Sequence, residues 1–303
     1  MGSNRSLRKL TTRLGSGLLA IGLSISVALP SVADPFRPNS TRKIGPFTEQ
    51  AFEAIFKEGD YNKANDFLEQ AKTEEADEPL VHAMLASTAY LEDDLAKVLE
   101  GAQKTSEVAS ALKSSDPLRG HLYTAVGTFL KGAYLLKTKG VAEATPEALS
   151  MLQQVFSELD AAEAIDAEDP ELNLLKGYMD LMLAVNLPFS NPDEAISRMS
   201  QYGSPAYLTQ RGIAIGYRDL DRLDDALIAV DRALAGAGDN PELYYLKAQL
   251  LVRQGNPTDS LEWFNKALEL RDQLPQKLQT RIQWEECNAS DDAERDCADE
   301  AGY

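Results

Sequence analysis

The chain has 303 residues, 44% of them hydrophobic and 26% charged, with a net charge of −18. That supply of apolar side chains builds a core and excludes global disorder, and the length suits one elongated domain or two compact ones. The acidic balance repels phosphate backbones and anionic membrane surfaces, so nucleic acid is not expected as a partner.

The first residues differ from everything after them. Arg5, Arg8, Lys9 and Arg13 precede an uncharged apolar run, Leu14 to Pro30, and the small residues Ser31 and Ala33 follow before Asp34. This is the order of a secretory signal peptide over residues 1–33, with cleavage after Ala33. The rival reading is an uncleaved anchor, but the run is short for a span and carries three Gly. Cleavage removes four positive charges and no negative ones, which takes the net charge to −22 and leaves no membrane span. The expected destination is the periplasm, or the thylakoid lumen if the source is a cyanobacterium.

Residues 34–46 read as an extended leader. From there a period of 34 residues governs the chain. Residues 207–240 and 241–274 align without a gap: Ala214 falls on Ala248, Tyr217 on Leu251, Ala226 on Ser260, Val230 on Phe264 and Ala233 on Ala267. The same ruler places Ile55, Ala64, Leu68 and Ala71 within 45–78, and Leu85, Ala86, Ala89, Val98 and Ala102 within 79–112. Each line holds two apolar stripes at helical spacing, separated by a turn of Gly, Asp, Asn or Pro. One such hairpin cannot bury its own apolar face, so the units must stack.

The middle is longer than the period. Ser115 to Gly140 reads as one long helix opened by Asp116-Pro117, and Thr145 to Pro170 as its partner, with Thr145 as cap and Pro146 in the first turn. "PELNLLKGYMDL" from Pro170 echoes "PELYYLKAQLLV" from Pro241, and Asn191 to Tyr202 supplies the second helix of that pair. Six pairs result, closed by a capping helix over 275–286, with an acidic tail over 287–303.

These residues resemble the tetratricopeptide repeat family, whose signature joins a small residue in each helix to an Ala-x3-Phe-x2-Ala run. "ALIAVDRAL" (Ala226 to Leu234) and "SLEWFNKAL" (Ser260 to Leu268) carry that run, and Gln210 and Lys247 depart from the usual pattern. The signal peptide gives a narrower resemblance to exported cyanobacterial proteins of the family. The resemblance implies an all-α, right-handed superhelical solenoid of helix-turn-helix repeats over 47–286, with an irregular elongated central hairpin. It also implies a concave face lined by the first helix of each pair, which receives a peptide or a partner's helix. On this chain that face includes Tyr178, Arg211, Ile215, Arg218, Tyr245, Gln249 and Arg253. Leu187, Pro188 and Phe189 form an apolar turn that either tucks against the next hairpin or makes a second contact.

Enzymatic signatures are missing from the sequence: there is no phosphate-binding loop, no H-E-x-x-H and no dinucleotide fingerprint. His82 and His121 read as helix residues with local partners. Glu92 to Asp94 and Asp221 to Asp225 lack the alternation of a calcium loop and read as solvated turns. Cys287 and Cys297, close together in an exported chain, read as a disulfide. The expectation is a scaffold that binds protein, with no catalytic residue, cofactor or metal. Two alternatives stand beside it: a structural subunit of an envelope or lumenal assembly, and an enzyme with its site in 115–202.

Overall fold

The computed structural model describes residues 34–37, 44–186, 191–290 and 296–302. The signal-peptide expectation and the apolar turn at Leu187 and Phe189 lie outside these residues.

Helix starts follow from the caps. Asp60, Glu78, Asp94, Asp116, Asn191 and Asn240 each accept a backbone N–H of the following turn with their side chains. Prolines stand in the first turn after Glu78, Asp116, Asn191 and Asn240, where a missing N–H costs nothing. The helices fall into pairs: α1 (Pro46–Glu53, prolonged by a wide turn Ala54–Glu58) with α2 (Tyr61–Glu74), α3 (Pro79–Leu91) with α4 (Leu95–Leu112), and α5 (Pro117–Lys139) with α6 (Val141–Glu163). Three more follow: α7 (Pro170–Asn186) with α8 (Pro192–Tyr202), α9 (Ala206–Asp219) with α10 (Leu223–Ala237), and α11 (Pro241–Arg253) with α12 (Pro257–Glu269). Then come α13 (Gln276–Ala289) and a short α14 (Cys297–Ala301). The fold is an all-α stack of helix hairpins.

The period is visible in the backbone. Gly59, Asp93, Asp221 and Gly255 stand at equivalent places, and all four have left-handed φ, between +60° and +84°. Asp tolerates this region better than most residues, which is why it replaces Gly in two of the turns. The acidic turns are therefore helix stops. Equivalent core positions are sealed throughout: Leu68, Ala102, Val230 and Phe264 are all fully buried, as are Ala71, Thr105, Ala233 and Ala267.

The central hairpin is elongated, with 23 residues in each of α5 and α6 against 11 in α8. Gly127 lets α5 approach α4, since a Cβ there would lie 2.3 Å from Ser106 Oγ and 2.8 Å from the Ala102 carbonyl. One boundary differs from expectation. Helix α6 begins at Val141, directly after the left-handed Gly140, so Thr145 is not its cap and Pro146 lies inside the helix. The Thr145 hydroxyl instead donates to the Val141 carbonyl.

The two ends are also more ordered than a leader and a tail. Residues 34–37 form a turn in which Asp34 and Phe36 are buried. At the other end α13 runs through Cys287 to Ala289, and a disulfide from Cys287 to Cys297, with Cα atoms 5.5 Å apart, holds α14.

Candidate functional site

The first helices of successive pairs touch one another: α1 meets α3, α3 meets α5, α7 meets α9 and α9 meets α11. The residues expected to bind a partner lie on this surface, but they divide into two groups.

Tyr178 and Arg211 are committed to internal contacts. The Tyr178 hydroxyl donates to the Leu208 carbonyl at 2.8 Å, and burial pushes that hydroxyl's pKa up. Arg211 pairs with Glu242 at 2.5 Å, and the other Glu242 oxygen accepts from the Tyr61 hydroxyl at 2.8 Å. Ile215 is half-buried against the core. Tyr61 belongs to the first hairpin and Glu242 to the sixth, so this contact is long-range. It has company: Asn240 donates to the Lys57 carbonyl at 3.1 Å, and Asn62 to the Asp272 carbonyl at 2.5 Å. Asp93 pairs with both Lys137 and Lys277. The first two hairpins thus meet the last helices directly.

Arg218, Tyr245, Gln249 and Arg253 form the second group, nearer the turns. Arg218 donates to Asp219 Oδ1 at 2.8 Å and to Gln249 Oε1 at 3.2 Å. Gln249 passes the chain on to Glu285 Oε2 at 3.0 Å, and Arg281 holds the other Glu285 oxygen. The Tyr245 ring lies 6.2 Å from Phe264, and burial together with the Glu285 carboxylate raises its hydroxyl pKa. Arg253 reaches Asp221 at 3.3 Å and remains exposed. Beside it opens a polar hollow of about 620 Å³ lined by Asp221, Leu223, Asp224, Arg253, Gln254 and Asn256. This strip is polar and partly accessible, and of its members Tyr245 also packs against the core.

A second cluster, which the sequence did not suggest, lies at the N-terminal ends of α3, α5 and α7. Glu171 is fully buried and takes Arg119 Nε at 3.0 Å, Arg37 Nη1 at 3.0 Å and the Tyr123 hydroxyl at 2.6 Å. Arg119 also holds both oxygens of Glu78, at 2.9 and 2.8 Å. Arg37 spans the two oxygens of Asp169 with Nε and Nη2, and its Nη1 meets Asp34 at 2.9 Å. Burial alone raises the Glu171 carboxyl, but the Arg119 and Arg37 guanidinium groups outweigh it and hold the pKa at about 2.

This cluster falls in the segment where an enzyme site was one alternative, and its chemistry argues against that role. A carboxyl held at about 2 stays ionised near neutral pH and neither gives nor takes a proton there. Its oxygens are already filled by three partners. An open hollow of the same segment, about 190 Å³, is lined elsewhere, by Phe156, Lys176, Asp180 and Leu183 among others. The histidines have local partners: His82 Nε2 donates to the Ala76 carbonyl at 2.9 Å, and His121 Nδ1 meets Glu158 at 2.6 Å. Among the described residues no group of three or more His, Cys, Asp or Glu is placed to hold a metal, and no helix is long and apolar enough to cross a membrane.

Comparison with known proteins gives distant likeness to solved structures. No family model matches the sequence, and no curated protein matches it. Among solved structures, PilW, a widely conserved type IV pilus biogenesis factor, aligns at 15% identity and a TM-score of 0.48, covering 74% of this chain and 90% of its own. A thermophilic TPR protein of Thermus thermophilus aligns at 20% identity and a TM-score of 0.31, covering 76% of this chain and 90% of its own. At these values the architecture rests on the chain's own repeat geometry, and function on its own side chains.

Proposed function

We propose that this chain is an exported scaffold that binds a protein partner along the face made by its first helices, and that it performs no covalent chemistry. The observation that carries the reading is the strip Arg218, Gln249, Glu285 and Arg281, flanked by Tyr245 and Arg253. Its members come from the first helices α9 and α11 and from the closing helix α13, and they bond mostly to one another. A buried fold contact is fixed on all sides. This strip instead leaves Arg218 and Arg253 with 25% and 42% of their side chains exposed.

Guanidinium forks pair with carboxylates two bonds at a time, and a Tyr adds rigid contact area at little entropic cost. The strip therefore suits an extended or helical segment with acidic side chains. Arg211 and Tyr178 support the face from within. Leu187 and Phe189 stay a proposed second contact. Export is inferred from the basic, apolar, small-residue order of the first 33 residues.

Changing Arg218 and Arg253 together to Glu tests the site. Affinity capture of partners by the altered chain should fall at least about tenfold relative to the unaltered chain, with Lys104→Glu on α4 as the neutral control. Unchanged capture by the double variant would place binding elsewhere.

A further inference from the structure

The turn at residues 34–37 has the features of a bound peptide. It precedes the first helix, and its own bonds are self-contained: the amides of Phe36 and Arg37 both donate to Asp34 Oδ1, at 2.9 and 3.2 Å. Its hold on the rest of the molecule comes from two side chains, Phe36 and Arg37. Phe36 is 2% exposed, with its ring 5.0 Å from that of Phe52. Arg37 lays its fork on Asp169, with 2.8 Å from Nε and 2.5 Å from Nη2, and reaches Glu171 at 3.0 Å. Asp34, 1% exposed, braces the guanidinium from the other side.

The residues that receive Arg37 sit at the start of α7, some 130 residues away along the chain. They are pre-organised without the turn. Asp169 is also the cap of α7, accepting from the Leu172 amide at 2.9 Å, and Glu171 is fixed by Arg119 and Tyr123. The surroundings have anionic character: once Arg37 is set aside, Glu171 and Glu78 share Arg119, and Asp169 keeps no guanidinium partner among the described residues. An aromatic anchor in an apolar seat, next to a bidentate Arg on a carboxylate, is the pairing that dominates binding energy at interfaces.

We propose that the N-terminal ends of α3, α5 and α7, together with Phe52 of α1, form a recognition site for a peptide of the pattern acidic–x–aromatic–Arg, and that residues 34–37 are its tethered ligand. The site is distinct from the Arg218 strip, and it stands or falls separately. A tethered ligand competes at an effective concentration of about a millimolar, so it masks the site from an identical peptide in solution. Removing the tethered Arg unmasks it.

The test uses the full chain and a fluorescent synthetic peptide of residues 34–44. The Arg37→Ala chain is expected to bind this peptide roughly tenfold or more tighter than the unaltered chain does. Binding is lost when the peptide's own Arg is replaced by Ala, and also in the Arg37→Ala, Asp169→Asn chain, where Asn keeps the cap on α7 but drops the charge. A folded Arg37→Ala chain that binds the peptide no better than the unaltered one overturns the proposal. The unaltered chain gives a second reading that needs no mutation. Excess peptide should speed hydrogen exchange at the Phe36 and Arg37 amides, and the peptide lacking Arg should not. No acceleration is the overturning result there.

Discussion

The hydroxyl of Tyr61 donates to Glu242 Oε1 at 2.8 Å across 181 residues of chain. Arg211 holds the other carboxylate oxygen at 2.5 Å, so one nearly buried acid ties the first hairpin to the fifth and sixth. Tyr61→Phe keeps the ring in its seat and removes one bond to a charged acceptor. We expect a loss of about 1–3 kcal/mol in urea unfolding. Glu242→Gln should be coupled to it: in a double-mutant cycle the two losses should fail to add, whereas additivity would mean that the hydroxyl and the acid do not communicate.

The same junction predicts an asymmetry between two glycines of the period. Gly59 and Gly255 both have left-handed φ, +70° and +84°. A Cβ on Gly59 would come within 2.9 Å of Asn240 Oδ1 and Pro241 Cδ, while a Cβ on Gly255 meets nothing within 4 Å. Gly255→Ala should therefore cost only the backbone strain, about 1 kcal/mol. Gly59→Ala should cost more, about 2–4 kcal/mol, because it also wedges the first hairpin off α11. Equal losses would show that the contact contributes nothing.

Acid should weaken the fold in two steps. Burial lowers the His82 pKa from 6.5, so as pH falls past that value the unfolded chain takes up a proton before the folded one does, and stability begins to drop. Glu171 acts further down. Its stabilisation is complete above the ordinary value of 4.5 and is lost as pH falls toward about 2, for a few kcal/mol at most. Urea midpoints measured against pH should show both steps, and Glu171→Gln should make only the second shallower. A midpoint independent of pH from 7 to 3 would contradict this assignment.

The disulfide closes a loop of 10 residues between α13 and α14. Replacing Cys287 and Cys297 by Ser should lower local stability by about 2–3 kcal/mol on loop-entropy grounds. Hydrogen exchange should rise in α14 and the last turn of α13 and stay unchanged in α1 to α12. Global loss of protection would mean that the tail supports the whole array.

The repeat is legible in the sequence because its causes are local. Small residues at Ala64, Ala226 and Ser260, and turn residues at Gly59, Asp93, Asp221 and Gly255, recur at a spacing that short windows reveal. The start of α6 is not, because Thr145-Pro146 has the form of a cap, whereas the left-handed Gly140 already ends α5 and lets the next helix begin at Val141.

The long-range contacts leave no such mark. Nothing near Tyr61 points to Glu242, and nothing near Arg37 points to Asp169. One signal is present. "PEL" opens both α7 and α11, and its Glu, at 171 and again at 242, is the central acid of each cluster, fully buried at 171 and nearly so at 242. An acid repeated in the first helical turn reads as dipole compensation, and only the fold shows that each one receives an Arg from the preceding first helix, Arg119 or Arg211.

The scaffold reading is tested most directly by photo-cross-linking from inside the strip. A photoreactive residue at position 249 should capture a partner chain in the native compartment, and the same residue at the exposed Ile228 on α10 should not. Capture from 228 alone, or from neither position while the protein is folded and abundant, would contradict binding on the face of the first helices.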